Sequence, residues 1–403
     1  MTNSKKSLAL FLVLFVIFID WLGIGLVYPI FSAMLFHPDH QLLAIGASYS
    51  WRCHCLGLLL AATPIAEFLS GPLLGAFSDQ IGRRPLFLVT QFIAVIGYFL
   101  SALAVSWGSI AVLIGARALA GIAAGNAAVV GATVADLSTV ETKVKNFGLY
   151  SMACGLGFTA GPLLSGALGS IFGFHVPFLL AALAILTNLI LIYFFFEETN
   201  LSPKGAAVHF GEGVDNLIKA FKIKGLKPLF AAMICFFFGW SFFYEFIPVV
   251  WIADYGLSAQ QVGTAYAFGA AVYALSAGYL IRPLLVRFKH TQLLVYSLAV
   301  LGPSIFLLLF QPQSYWVWIY LAVFNFLSAL VWPTATTMVS DLSPQEAQGE
   351  TLGIYQSIQA AAFGLSPLLA GTALAAHTHL PMTIGGAAIT LSALILYRKQ
   401  KGS

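Results

Sequence analysis

The sequence predicts an all-α membrane protein whose twelve transmembrane helices form two homologous six-helix bundles. Composition is the first observation behind this prediction. Of the 403 residues, 60% are hydrophobic and only 8% are charged, whereas soluble domains carry about 25% charged residues. The second observation is the length of the apolar runs, because a spanning helix needs about 20 mostly apolar residues and such runs recur along the whole chain. Almost no length remains for a soluble domain.

The apolar runs divide the chain into six helices, a polar segment and six more helices. Residues 7–36 form a run too long for a signal peptide and without a small-residue cleavage site, so we interpret them as the first span. The other predicted spans are 53–78, 84–105, 109–135, 143–170, 174–196, 228–253, 260–285, 291–310, 315–340, 347–374 and 380–397. The sequence therefore predicts an N-terminal bundle over 1–196, a cytoplasmic linker over 197–226 and a C-terminal bundle over 227–403.

The linker itself has two interpretations. Its apolar residues Val214, Leu217, Ile218 and Phe221 recur at helical spacing among lysines, a pattern typical of a helix lying at the lipid surface. A solvated linker is the alternative.

The basic residues predict the orientation. Sixteen of the 19 Lys and Arg residues fall before the first span, after the last span, or in loops and adjoining span ends on the same side as the termini. The positive-inside rule then places both termini in the cytoplasm. The net charge of +4 thus reflects topology rather than nucleic-acid binding. We expect a monomeric multi-pass protein of a bacterial inner (cytoplasmic) membrane, surrounded by the lipid bilayer.

An internal repeat is the third observation. Shifting the chain by 205 residues aligns 134–168 with 339–373 without a gap, and twelve of the 35 positions are identical. The matches include Asp-Leu-Ser at 136–138 and 341–343, and the segments GPLLSG (161–166) and SPLLAG (366–371). Apolar composition does not explain identical Asp, Ser and Pro residues at one offset. Two homologous halves are what transporters use to rock about a site near the bilayer midplane.

The segment between the second and third spans carries the most specific motif. GAFSDQIGRR, residues 75–84, resembles the signature loop of the major facilitator superfamily, and the matching positions are Gly75, Asp79, Gly82, Arg83 and Arg84. Gln80 stands where that family usually has a basic residue. The resemblance implies the major facilitator fold and a cytoplasmic gate at this loop.

The charges of the motif predict two contacts. We expect Asp79 to cap the N-terminus of a neighbouring helix and the arginines to pair with Asp136 at another helix end. The alternative is that two arginines in a short cytoplasmic loop reflect topology alone.

The fifth span contains GFTAGPLLSG, residues 157–166, which resembles the antiporter motif of drug and proton exchangers at Gly157, Gly161, Pro162 and Gly166. Ser165 stands where a glycine is common. Segments 20–29, 70–85, 134–138 and 348–353 resemble the tetracycline and proton antiporter branch. The resemblance covers essentially the whole chain and favours export. The eighth span lacks the histidine of that branch, so we expect a substrate other than tetracycline.

Asp20, Glu67, Glu245 and Arg117 lie away from the ends of their spans, where charge is costly. Asp20, Glu67 and Glu245 each cost about 2.5 to 3.5 kcal/mol at the bilayer centre. We expect Asp20 and Glu67 to carry protons, and Glu67 and Glu245 to contact substrate. Arg117 is followed by Gly121 and Gly125, and the family resemblance implies that it takes part in proton transfer. The alternatives are hydrogen-bonded structural acids and an arginine bonded to backbone carbonyls.

These observations favour a secondary active transporter that exports a drug, siderophore or amphiphilic metabolite by proton antiport with alternating access. A proton-coupled importer on the same fold is one alternative, and a non-transporting membrane sensor is another. The sequence contains no Walker loop, catalytic triad or metalloprotease signature, and its cysteines lack zinc spacing. We therefore expect no enzyme activity, no metal site and no cofactor, with the proton as coupling ion.

Overall fold

A computed structural model describes residues 3–37, 42–44, 46–139, 141–200, 215, 218–219, 223, 225–307, 315–343 and 348–402. The described residues contain helices and no strand, and twelve of the helices are long and apolar enough to cross a membrane. The predicted fold class is confirmed. Most of the predicted linker lies outside the described residues, including Val214, Leu217 and Phe221, on which the interpretation as a surface helix depends.

Each predicted span corresponds to one helix. The helices are α1 (Asn3–Phe36), α2 (Tyr49–Ile81), α3 (Arg83–Trp107), α4 (Ile110–Asp136), α5 (Lys143–Phe172), α6 (His175–Phe195), α7 (Lys227–Tyr255), α8 (Ala259–Arg287), α9 (His290–Leu307), α10 (Trp316–Asp341), α11 (Gln348–Ala376) and α12 (Leu380–Gly402). The start of α1 and the end of α12 lie on one face of the molecule, here called the terminal face, and the other side is called the opposite face.

The junction of α2 and α3 differs from the prediction. Residues 75–84 do not form a loop, because α2 continues to Ile81 and α3 begins at Arg83. Gly82 alone separates the two helices, with a φ of 98° that only glycine adopts readily. The motif is thus helical on both sides of a one-residue turn, which holds its charged residues rigidly.

The seventh helix is interrupted at Glu245–Phe246, between segments Lys227–Tyr244 and Ile247–Tyr255. Pro248 explains the interruption, since it lacks the N–H that would bond to the carbonyl of Tyr244. The hydroxyl of Tyr266 on α8 donates to that carbonyl instead. The break therefore places Glu245 at a point where α7 is held by α8.

Two further helices have interruptions that the apolar pattern did not predict. The fourth helix turns at Gly125–Asn126, where Asn126 Nδ2 donates to Thr90 Oγ1 at 2.7 Å. The eighth helix contains a π-helical turn at Ser276–Leu280, shortly before Pro283. Such irregular turns are frequent at functional sites.

Two helix crossings join the halves. In one, α5 crosses α8 where Gly166 packs on Gly263, and in the other α2 crosses α11 where Gly57 packs on Gly371. A Cβ built on Gly166 would lie 3.1 Å from the Cα of Gly263, so the backbones touch. Gly166 and Gly371 occupy equivalent positions of the internal repeat. The repeat therefore builds the same crossing twice.

The halves meet on the opposite face. Among the described residues, the hydrogen bonds, ring contacts and glycine crossings that join the two bundles lie in the part of each helix that is nearer the opposite face. Tyr49 on α2, for example, hydrogen-bonds Thr378, which follows α11, at 3.0 Å. Toward the terminal face, a Cβ built on Gly155 of α5 or Gly278 of α8 meets nothing within 4 Å. At these two positions no neighbouring residue covers α5 or α8, and the interval between the halves on this side is here called the open space.

Candidate functional site

Four polar residues of the N-terminal half come together in the membrane interior, namely Asp20 on α1, Glu67 on α2, Tyr98 on α3 and Arg117 on α4; we call them the N-half cluster. Asp20 and Glu67 are half-buried and lie close enough to interact electrostatically. Arg117 is only 2% exposed. Its guanidinium lies over the ring of Tyr98, 5.3 Å from the centroid.

Glycines bring these helices close together. A Cβ on Gly121 of α4 would contact the backbone of Thr63 on α2, and a Cβ on Gly97 of α3 would lie 2.8 Å from the backbone nitrogen of Ala120. A hydrogen bond from Thr63 Oγ1 to the carbonyl of Arg117, at 3.1 Å, joins α2 and α4. The small-residue pattern after Arg117 thus packs α4 between α2 and α3.

Charges in the N-half cluster are incompletely paired. Within the described residues, Asp20 Oδ2 and Arg117 Nε and Nη1 are buried without a hydrogen-bond partner. The Tyr98 hydroxyl lies against Gly23, one helical turn from Asp20, and so reaches from Arg117 toward the acid. A buried polar group without a partner is costly, and such groups mark proton and ion pathways inside membranes.

Glu245 lies apart from the N-half cluster, in the C-terminal half. It is 4% exposed and accepts a hydrogen bond from Ser241 Oγ at 2.8 Å. The rings of Tyr244 and Tyr266 surround the α7 break beside it. The structure therefore does not bring Glu245 together with Asp20 and Glu67, and in this conformation Glu245 does not line the open space.

Aromatic rings from both halves meet on the opposite-face side of that space. Tyr28 of α1 stacks on Tyr266 at a centroid distance of 5.8 Å, and Phe158 of α5 stacks on Tyr244 at 6.2 Å. Trp21, the neighbour of Asp20, contacts Phe158 at 6.0 Å. These rings form a layer that separates the open space from the opposite face.

A second aromatic group, here called the aromatic triad, consists of Trp240 on α7, Trp332 on α10 and Phe363 on α11. Trp332 stacks on Phe363 at 6.1 Å, and Trp240 lies 5.5 Å from Phe363. All three are half-buried. Because α7 is buried on nearly all sides, the exposed part of Trp240 faces the interior of the protein rather than lipid. Phe363 and Phe158 occupy equivalent positions of the internal repeat, so each half has a phenylalanine at this position of the repeat.

The motif charges form a second site at the terminal face, here called the Arg83 network. Arg83 pairs with Asp79 at 2.7 Å and with Asp136 at 3.3 Å, and it also donates to Ser78. Gly75 lies on the same turn of α2, where a Cβ would contact only Ala128 of α4, at 3.9 Å. Arg84 instead donates from Nη2 to the carbonyl of Tyr193, at 2.7 Å. Of the two arginines, Arg83 is therefore the one that pairs with Asp136 in the described structure.

The predicted cap is formed by a different residue. Glu198, not Asp79, accepts hydrogen bonds from the first N–H groups of α3, those of Arg83 at 2.8 Å and Arg84 at 3.0 Å. The backbone N–H groups of Thr199 and Asn200 also donate to it. Sequence reasoning missed Glu198 because it lies 115 residues from Arg83. The sequence did contain one indication of this role, because Glu198 is an acid just after the end of the sixth span.

Replacing Glu198 with Ala removes this cap, and we expect it to lower the free energy of unfolding by about 1 to 2 kcal/mol, the range for a lost N-cap. Thermal unfolding in detergent measures the effect. Glu197→Ala is the matched control, because Glu197 is exposed and, in the described part of the chain, bonded only to Lys5. Equal destabilisation by the two substitutions would contradict the role assigned to Glu198.

The antiporter-motif residues lie on α5 between α1 and α8. Cβ atoms on Gly157 and Gly161 would collide with the backbone of α1 at Phe18 and Leu22. Pro162 packs against Gly25 of α1, and its carbonyl lies against Gly263 of α8. Together with Gly166, these residues let α5 touch both neighbours closely. The motif therefore forms one of the two crossings that close the opposite face.

Comparison with known proteins identifies the family. The sequence model of the Major Facilitator Superfamily matches residues 10–367. The chain belongs to the Major Facilitator Superfamily. Members of this superfamily are membrane transporters of small molecules, and the expected resemblance is confirmed.

Relatives within the superfamily include resistance proteins. The tetracycline resistance protein of class C from Escherichia coli is 29% identical over 373 residues, covering 91% of this chain and 89% of the relative. Multidrug resistance protein 1 of Bacillus subtilis (strain 168) is 26% identical, covering 91% and 90%. The crystal structure of the human organic anion transporter MFSD10 (TETRAN) aligns with a TM-score of 0.71 at 21% identity, covering 97% and 99%, and so shares the fold. The chain is thus a multi-pass bacterial membrane transporter.

No group of three or more His, Cys, Asp or Glu residues suited to a metal ion occurs among the described residues. The four cysteines are free.

Proposed function

We propose that this protein exports an amphiphilic, aromatic small molecule from the bacterial cytoplasm across the inner membrane in exchange for protons. The observation that carries the proposal is the N-half cluster, in which Asp20 Oδ2 and two guanidinium nitrogens of Arg117 are buried without hydrogen-bond partners and Asp20 lies near a second acid, Glu67. Such a site favours proton binding, because protonation of the acid removes a buried charge that lacks a partner.

The direction of transport rests on the relatives and on the antiporter motif. Proteins similar to this chain over nine-tenths of its length are named for resistance to tetracycline or to many drugs. Resistance through a membrane transporter means efflux, and the importer alternative is not favoured. The positive-inside pattern supports cytoplasmic termini. With that orientation, the open space faces the cytoplasm in the proposed cycle, and there an exporter collects its substrate.

The proposed cycle has two exchange steps. In the cytoplasm-open state, substrate displaces a proton from Asp20 or Glu67 and occupies the space between the N-half cluster and the aromatic triad. The crossings at Gly166 and Gly57 then separate, the Arg83 network side closes, and a proton from outside replaces the substrate. Glu245 becomes reachable for the substrate when the ring layer opens. Each proton that enters supplies about 2.3 kcal/mol for every 100 mV of membrane potential.

Substrate recognition is assigned to the aromatic triad. Trp332→Ala removes one ring of the triad. We expect it to weaken binding of a planar aromatic amine about two- to tenfold, which corresponds to the interaction free energy of one aromatic pair. The affinity for an aliphatic amine should not change. Trp318→Ala is the matched control, because Trp318 lies on the same helix and contacts Phe268 instead. Equal losses for both amines would assign Trp332 a packing role only.

Transport into everted membrane vesicles tests the proposal. With respiration acidifying the vesicle interior, we expect accumulation of a fluorescent aromatic amine that collapses when the pH gradient is dissipated. Accumulation only in right-side-out vesicles would identify an importer, and binding without transport in either orientation would identify a sensor.

A further inference from the structure

A groove between α3 and α6 opens on the outer surface of the N-terminal half, near the terminal face. Its volume is about 430 Å³, and its lining is wholly apolar, formed by Leu88, Phe92, Leu189, Ile190, Tyr193 and Phe194. Several of these side chains are strongly exposed, with Phe194 at 70%. The surface lies where the acyl chains of a bilayer surround the protein.

A cation stands at the polar end of this groove. Arg84 precedes Leu88 by one helical turn on the same face of α3, and its Nη2 donates to the carbonyl of Tyr193, a lining residue. Within the described residues that is the only hydrogen bond of the guanidinium, and Nε has none. Arg84 also has no carboxylate partner in that part of the chain, unlike Arg83, which has two.

The two acids that follow α6 form other bonds, and within the described residues neither bonds the guanidinium of Arg84. Lys5 bonds Glu197 at 2.5 Å, and this hydrogen bond holds the pKa of that carboxyl below its usual range. Glu198 accepts from backbone N–H groups, including that of Arg84 itself. Among the described residues, the guanidinium of Arg84 therefore has no ion-pair partner at this end of the groove.

The geometry points to a binding site for an anionic phospholipid, with one acyl chain in the α3–α6 groove and the headgroup phosphate at Arg84. A phospholipid complements this site along the membrane normal. Its anionic headgroup lies at the membrane surface, at the level of Arg84, and its apolar chain lies below, at the level of the groove. Basic positions between transmembrane helices on the cytoplasmic side bind anionic headgroups in this way. The inference does not depend on the transported substrate or on proton coupling.

Lipid titration followed by native mass spectrometry tests the site. The protein is delipidated in neutral detergent and titrated with dioleoyl phosphatidylglycerol or dioleoyl phosphatidylcholine. We expect phosphatidylglycerol to bind about fivefold more tightly, the contribution of one cation facing an anionic lipid. Arg84→Gln should abolish this preference, whereas Lys289→Gln, which removes a basic residue elsewhere on the terminal face, should keep it.

A second pair of variants tests the groove without altering any charge. Ile190→Trp places a larger side chain in the groove and should weaken phosphatidylglycerol binding. Leu183→Trp, at an equally exposed position two turns away on α6, should leave it unchanged. The proposal would be overturned if the two lipids bound with equal affinity or if the preference for phosphatidylglycerol survived Arg84→Gln. It would also be overturned if inorganic phosphate alone competed as strongly as the lipid, or if dimers formed in place of lipid adducts.

Discussion

Asp20→Asn is expected to abolish substrate-driven proton movement in liposomes, and Glu67→Gln is expected to do the same. Both substitutions keep the size of the side chain and remove its ability to bind and release a proton. Asp20 Oδ2 is buried without a partner in the described structure, so its neutral replacement does not break an ion pair that holds the fold. The loss therefore reports on coupling rather than on stability.

The control for this experiment is an acid outside the cavity. Glu141 lies in the terminal-face turn before α5, where Thr139 Oγ1 donates to it at 2.6 Å. That hydrogen bond lowers the pKa of the Glu141 carboxyl, so the residue is charged at neutral pH. Glu141→Gln should leave proton movement unchanged.

Counterflow of substrate separates coupling from binding. Exchange of labelled for unlabelled substrate needs no net proton movement, so Asp20→Asn should still support it. Retained proton movement in both acid variants would contradict the assignment of the N-half cluster, and loss of counterflow together with proton movement would mean that these acids bind the substrate itself.

The second large effect is expected at the α5–α8 crossing. A Cβ on Gly263 would collide with the carbonyl of Pro162 and lie 3.0 Å from the Cα of Gly166. Gly263→Val therefore forces α5 away from α8, and the conformation described here loses the contact that closes its opposite face. We expect the population to shift toward the outward-open state and transport to fall to background.

Spin labels at Ser170 on α5 and Thr264 on α8 measure this shift, since both positions are exposed near the opposite face. The distance distribution should move to longer values in Gly263→Val, in a background without the native cysteines. Gly278→Val is the matched control on the same helix, because a Cβ there meets nothing within 4 Å. Unchanged distances in Gly263→Val would show that the crossing does not control the opposite face.

Much of the architecture could be predicted because it follows from local sequence. A bilayer imposes a minimum helix length, so apolar runs specify the helices, and the 205-residue offset relates the two halves. Charges inside spans are rare, which is why Asp20, Glu67 and Arg117 stood out. The pairing of Arg83 with Asp136 could also be anticipated, because opposite charges at neighbouring helix ends attract.

The remaining features depend on contacts between distant parts of the chain. Glu198 caps α3 only because α6 ends beside Arg83, and no local pattern encodes that proximity. Gly263 is one of many glycines in the spans until its contact with Gly166 is known. The α7 break did have a local signal in Pro248, but only the structure shows Tyr266 bonding to the Tyr244 carbonyl. The sequence predicts that Glu245, like Glu67, contacts substrate, because it does not show the rings beside the α7 break that separate Glu245 from Asp20 and Glu67.

The most direct test of proton-coupled export is substrate-triggered proton release from everted vesicles. Vesicles acidified by respiration and loaded with a quenched amine dye should show rapid dequenching when an aromatic amine substrate is added to wild type, and none in Asp20→Asn. Because the dye reports the internal pH, this outcome shows that protons leave as substrate enters. Substrate accumulation with no dequenching, or dequenching of equal size in Asp20→Asn, would contradict the mechanism.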